Sequence, residues 1–301
     1  SQSVTIRFAA QVGNQPFTCG KSYELGQPAL SIMPSDFRLY VSNVALINQQ
    51  GEAIPMTLIQ DGQWQYQNVA LLDFEDKTGA CTNGTAETRT EVIGTVPVGT
   101  YRGLQFTLGL PFALNHADST LAASPLNLTS LWWNWRAGYK FARIDLTRMT
   151  QANVAPVPGN VPELHHTGQV AHGLAHGATP PAGHGTEQGT GHGGAAEKSG
   201  AVSIHLGSTG CEAASTNQSP IQCQNPNTAQ IRFAAFDPAQ NRVVADLGAL
   251  LAEANLGVNQ PDTPLGCMSS PDDGDCASIL HNLGLPFGGQ PSPGQTFFRV
   301  E

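Results

Sequence analysis

Hydrophobic and polar residues alternate along much of the chain. In Val4-Thr5-Ile6-Arg7-Phe8 the apolar side chains fall on one face of an extended segment and Thr5 and Arg7 on the other, the period of a half-buried strand. Residues 36–47 make a longer strand candidate, and 63–70, 91–96, 103–108 and 140–146 follow it, bounded by Gly, Pro, Asn and Asp clusters. Only residues 245–254 show helical spacing, through Leu247, Leu250 and Leu251. Short strands at regular intervals predict a mainly β protein. The expected architecture is a β-sandwich with long loop insertions and one or two short helices, not an α/β fold with parallel crossovers. Ile6-Arg7-Phe8-Ala9-Ala10 recurs as Ile231-Arg232-Phe233-Ala234-Ala235, and Leu108-Gly109-Leu110-Pro111-Phe112 recurs as Leu283-Gly284-Leu285-Pro286-Phe287. The spacing between the two strings differs in the two copies, which excludes a regular repeat array.

The alternation stops at about residue 151 and resumes after about 200. Between them the chain is Gly, Ala, Pro, Thr and His, and His165, His166, His172, His176, His184 and His192 all lie there. So few large apolar groups cannot offset the entropy of ordering. The segment is expected to be a mobile loop inserted between core strands of a single 1–301 domain. Its histidines predict at most weak, promiscuous metal binding.

Composition narrows the setting. Charged residues make up 12% and the formal net charge is −9, which leaves no basic patch for nucleic acid. The six cysteines form no CxxC, and an even count among loop-like neighbours favours disulfides in an oxidising compartment. Short separation favours Cys211–Cys223 and Cys267–Cys276, leaving Cys19–Cys81. No apolar run is long enough to span a bilayer. Ser1-Gln2-Ser3 reads as a terminus left by a cleaved signal peptide, and the expected compartment is the periplasm.

Two motifs carry the chemistry. Leu131-Trp132-Trp133-Asn134-Trp135-Arg136-Ala137-Gly138-Tyr139-Lys140-Phe141 holds three of the four tryptophans, and His205-Leu206-Gly207-Ser208-Thr209-Gly210-Cys211 sets a histidine six residues before a cysteine. Together they resemble the MbnP family, periplasmic four-cysteine proteins encoded beside a diheme enzyme of the MbnH type, related to MauG and cytochrome c peroxidases. The resemblance implies that the first tryptophan of W-x-W, here Trp133, is oxidised to kynurenine and that the site then binds one copper(I). It also points to His116, because Asn115-His116 follows a Gly-x-Pro turn as in a family stretch, and to His205. Trp135 and Asn115 are expected beside the metal rather than on it. One departure is Leu131, where the family often has methionine.

The chemistry supports such a site. Copper(I) is soft and suits imidazole and sulfur better than carboxylates. An intact indole is a poor ligand because its nitrogen lone pair belongs to the aromatic system, whereas kynurenine has an aniline nitrogen that can donate. Two histidines and one kynurenine form the simplest set, with water or nothing as a fourth ligand. No nucleophile elbow, zincin motif, Walker loop or dinucleotide fingerprint is present, so the protein reads as a metal carrier and not an enzyme. The alternative is a secreted β-sandwich interaction module whose tryptophans form a docking surface and which has no physiological metal. A copper-dependent peroxide enzyme is a weaker third reading.

Overall fold

The computed structural model describes residues 1–150 and 200–301. The expected mobile insertion lies outside the described residues but for its last, Gly200, and so do His165, His166, His172, His176, His184 and His192. Within the described residues the protein is mainly β, with several sheets and a few short helices. One sheet runs Phe298–Val300, Val243–Asp246, Gln2–Val12, Glu91–Val96 and Thr57–Leu58 in spatial order. The larger sheet runs Ala229–Phe233, Tyr101–Leu108, Leu30–Asn48, Ala142–Arg148, Ala201–Leu206 and Gly266–Cys267. Their inner faces share one apolar core. Phe8 of the first sheet meets Phe106 of the second edge-on at 5.5 Å, and Phe106 meets Phe298 at 5.2 Å. Each such ring contributes about 1.5–3 kcal/mol by leaving water.

The Leu30–Asn48 strand organises the larger sheet. One half pairs with Ala142–Arg148 and Val69–Asp73, the other with Tyr101–Leu108 and Ala53–Pro55. It is longer than the expected 36–47 because Pro34 is accommodated at a register shift opposite Leu146. The 63–70 candidate divides into Gln65–Tyr66 and Val69–Asp73, paired as a hairpin around Gln67 at φ 52°. The 245–254 helix is mostly absent. Val243–Asp246 is a buried strand parallel to Gln2–Val12, and only Leu247–Leu250 forms a helical turn. Asp246 caps that turn by accepting from Gly248 and Ala249 N–H groups. Among the described residues two strand pairs are parallel, the second joining Ala201–Leu206 to Gly266–Cys267. The Ile-Arg-Phe-Ala-Ala copies sit in different sheets, so the fold gives no sign of a duplication.

All three expected disulfides are present, Cys19–Cys81, Cys211–Cys223 and Cys267–Cys276. Three bridges and no free thiol fit an oxidising compartment. No helix of the described residues is long and apolar enough to cross a membrane.

The two faces of the larger sheet differ. Phe37, Ile144 and Ile204 sit opposite one another and enter the core. One residue along, Asp73, Arg38, Arg143 and His205 form a row across four adjacent strands on the other face. That polar face is covered, not solvated: Arg38 is 1% exposed and Asp73 2%. Part of the cover is the 112–141 segment, fastened by Tyr40 Oη donating to Pro125 O at 2.7 Å and Arg143 donating to Ser130 O at 2.9 Å.

Candidate metal centre

Trp133 lies on a tight hairpin in which Trp132–Asn134 pairs with Gly138–Tyr139. Asn134 Oδ1 accepts from the Arg136 and Ala137 N–H groups at 2.9 and 2.8 Å, which closes the turn. Gly138 has φ +77° and packs so closely on Asn115 that a Cβ there would collide with the amide. Trp132 and Trp133 are half-buried, whereas Trp135 is 53% exposed at the tip and meets Trp132 edge-on at 6.5 Å. The six-membered ring of Trp133 lies against Gly207, where a Cβ would strike the ring and sit 2.8 Å from Tyr139 O. Glycine is therefore required in the His205–Cys211 motif for the tryptophan to seat.

His205 is the penultimate residue of the Ala201–Leu206 strand, which Ser269 clamps. The Ser269 hydroxyl donates to His205 O at 2.8 Å and accepts from Gly207 N at 3.1 Å. His205 Nε2 meets Asp145 Oδ1 at 2.6 Å, while its Nδ1 is buried without a hydrogen-bond partner. Burial holds the imidazole below its usual range, with Asp145 opposing. Burial also pushes the Asp145 carboxyl up, but His205 and Arg143 outweigh it and bring it down to about 2. Asp145 is thus ionised at neutral pH.

His116 comes from elsewhere, the end of the single helical turn Phe112–Asn115. Its ring packs against Phe112 at 4.6 Å and it is 5% exposed. Asn115 Oδ1 accepts from Tyr139 N at 2.8 Å, which turns its Nδ2 toward Ser208 Oγ and His116 Nε2, each at 3.2 Å. His116 Nε2 also lies 3.4 Å from Cys223 Sγ, and Nδ1 is buried without a partner. Burial lowers this imidazole too, partly offset by the Trp135 main chain.

The candidates thus converge on Gly207–Ser208: Trp133 on Gly207, His205 two residues before it, and Asn115 with His116 joined through Ser208. Among the described residues, the His/Cys/Asp/Glu atoms close enough to hold an ion are those of His116, Cys211 and Cys223; His205 stands outside that group, on Asp145. Both sulfurs of the group are spent in the disulfide. An open cleft of about 620 Å³ adjoins Trp133 and is lined also by Ser208, Cys211 and Met268. Sequence reasoning missed Asp145, and it gave Met268 no claim to the site for want of a motif. The alternation of Arg143 and Asp145 with Ile144 and Leu146 was the available signal for Asp145, but it did not say that the polar face is covered.

The MbnP family model matches residues 1–269. The solved structure of MbnP from Methylosinus trichosporium is similar over 99% of this chain and 98% of that chain, with a TM-score of 0.75 and 28% sequence identity. No curated protein matches the sequence.

Proposed function

The chain belongs to the MbnP family, and from that membership we propose that it is a periplasmic copper(I)-binding protein whose metal site is completed by oxidation of Trp133 to kynurenine. The observation that carries this reading is the seating of Trp133 on Gly207, between segments that bring in His205, whose Nδ1 is buried without a hydrogen-bond partner, and His116. Buried polar atoms are ordinarily satisfied, so a bare buried nitrogen two residues from the seat of Trp133 calls for a ligand. Neutral imidazole and an aniline nitrogen are donors of the kind copper(I) accepts. His205, His116 and the modified Trp133 would hold the ion. Copper, once bound, would supply a single soft, redox-active centre for homeostasis, in storage, delivery or sensing.

Ring opening fits the surroundings of Trp133. Its benzo ring is anchored on Gly207 and the residue is half-buried beside an open cleft, so the pyrrole carbons can be altered without disturbing the core. A diheme enzyme of the MbnH type is the proposed oxidant, which makes this protein a macromolecular substrate and not an enzyme. Trp135, exposed at the hairpin tip, and Asn115, beside His116, are the proposed neighbours of the metal.

Peptide mass mapping after expression with and without the diheme enzyme tests the reading. The peptide containing Trp133 should lose one carbon and gain one oxygen only with the enzyme present. Copper(I) competition on the modified protein should then show one tight site, lost in His116→Ala and in His205→Ala. An unmodified Trp133 and a metal-free protein from native cells would favour the interaction-module reading instead.

A further inference from the structure

His205 is the end point of a continuous array of charges, buried at Asp36 and Arg38 and partly buried at Arg143 and Asp145. Asp145 Oδ1 lies 2.6 Å from His205 Nε2, and the other oxygen, Oδ2, receives Arg143 Nε and Nη2, each at 2.8 Å. Arg143 Nε also reaches Asp36 Oδ2 at 3.1 Å, and Arg143 Nη1 donates to Ser130 O at 2.9 Å. Asp36 is gripped by Arg38 through Nε and Nη2 at 2.8 and 2.6 Å, and Arg38 Nη1 reaches Ser130 Oγ at 3.2 Å. Ser130 lies three residues before Trp133. The array therefore fixes the orientation of one carboxylate and fastens it to the segment that carries the tryptophan.

We propose that Asp145 is a positioning residue for His205: it accepts the Nε2–H hydrogen bond, so that the neutral ring keeps its proton on Nε2 and presents a bare Nδ1 as the metal donor. The assignment follows from hydrogen-bond roles. An ionised carboxylate only accepts, so the imidazole nitrogen facing Asp145 must carry a proton. In a neutral ring the other nitrogen is then unprotonated, and Nδ1 is the buried atom with no partner. A carboxylate behind a ligating imidazole also fixes the ring and raises its basicity, and loss of such support weakens metal binding about 10–100-fold. The tautomer stands on the structure alone. The effect on copper rests on the proposed function.

Asparagine at this position makes a sharp test because Arg143 can only donate. In Asp145→Asn the amide oxygen must turn to Arg143, leaving the NH₂ group toward His205 Nε2. That nitrogen must then accept, and the proton moves to Nδ1. The measurement is the ¹⁵N–¹H long-range correlation spectrum of the metal-free protein, with His205 signals assigned by their loss in His205→Gln. The wild type should show the Nε2–H form and Asp145→Asn the Nδ1–H form, with unchanged amide dispersion reporting an intact fold. In the Trp133-modified protein, Asp145→Asn should weaken copper(I) about tenfold or more in chelator competition. A wild-type His205 protonated on Nδ1, which needs no variant to detect, overturns the proposal. The expected tautomer switch with unchanged copper affinity in Asp145→Asn removes the proposed effect on the metal and, if His205→Ala is also without effect, His205 itself from the ligand set.

Discussion

Replacing Asn115 by alanine would release the amide that joins three segments around the candidate site. Asn115 is 1% exposed, accepts from Tyr139 N at 2.8 Å, and donates to Ser208 Oγ and His116 Nε2 at 3.2 Å each. Alanine leaves the buried Tyr139 N–H without an acceptor, which costs about 1–3 kcal/mol. The two longer neutral bonds add about 0.5–1 kcal/mol each. The expected loss is about 2–5 kcal/mol, well beyond the ~0.5 kcal/mol of an uninvolved surface change. In a protein of this size each kcal/mol lowers Tm by roughly 1.5–2 °C, so Tm should fall by roughly 3–10 °C. Urea unfolding and scanning calorimetry measure the loss, and near-ultraviolet circular dichroism reports the tryptophan environment. A loss under about 0.5 kcal/mol in the alanine variant, with an unchanged tryptophan signal, would refute the role given to this amide.

Asp73 is pushed up to about 8, by burial first and then by Glu75, so the folded state holds a proton that the unfolded chain releases near its ordinary carboxylate value. Its contribution to stability is complete below that ordinary value and is lost as pH rises through about 8; Asp73→Asn should therefore gain in Tm relative to wild type from pH 5 to pH 8.5, and a constant difference would contradict this assignment. Replacing Cys19 and Cys81 by alanine opens a link across 62 residues and should cost about 4 kcal/mol in the loop-entropy model, against about 3 kcal/mol for the 12-residue Cys211–Cys223 link. Denaturant unfolding of the two double variants gives the order, and the reverse order would show that native contacts outweigh loop length. The strands Ala142–Arg148 and Ala201–Leu206 are adjacent and antiparallel, with Arg148 N donating to Gly200 O at 2.8 Å. Replacing residues 158–198 by a short Gly-Ser linker should therefore leave the fold and the tight copper(I) site intact, because closure cost changes slowly with loop length. Loss of the tight site on deletion, seen in chelator competition, would place a ligand among the deleted histidines.

Local chemistry made several features readable. Val4, Ile6 and Phe8 alternate with polar residues and do form a strand facing the core, since a period of two is visible in five residues. The short cysteine separations anticipated the bridges. The 245–254 helix failed because one turn of apolar spacing fits a longer helix equally well; the preceding Val243–Asp246 pairs with strands more than forty residues away on either side. Asn43, at φ 52°, and Pro34 are likewise absorbed within the Leu30–Asn48 strand at places that its partners tolerate.

The sequence by itself determined the mainly β character, the disulfide-bonded setting and the two motifs around Trp133 and His205, because each depends on near neighbours in the chain. It did not determine that Asp73, Arg38, Arg143 and His205 line up across four strands, or that the 112–141 segment covers their polar face. Alternation of charged with apolar residues reads the same whether the charged face meets water or lies beneath a loop. Only tertiary structure removes the water, leaves Asp145 as the partner of His205 Nε2, and leaves Nδ1 with none.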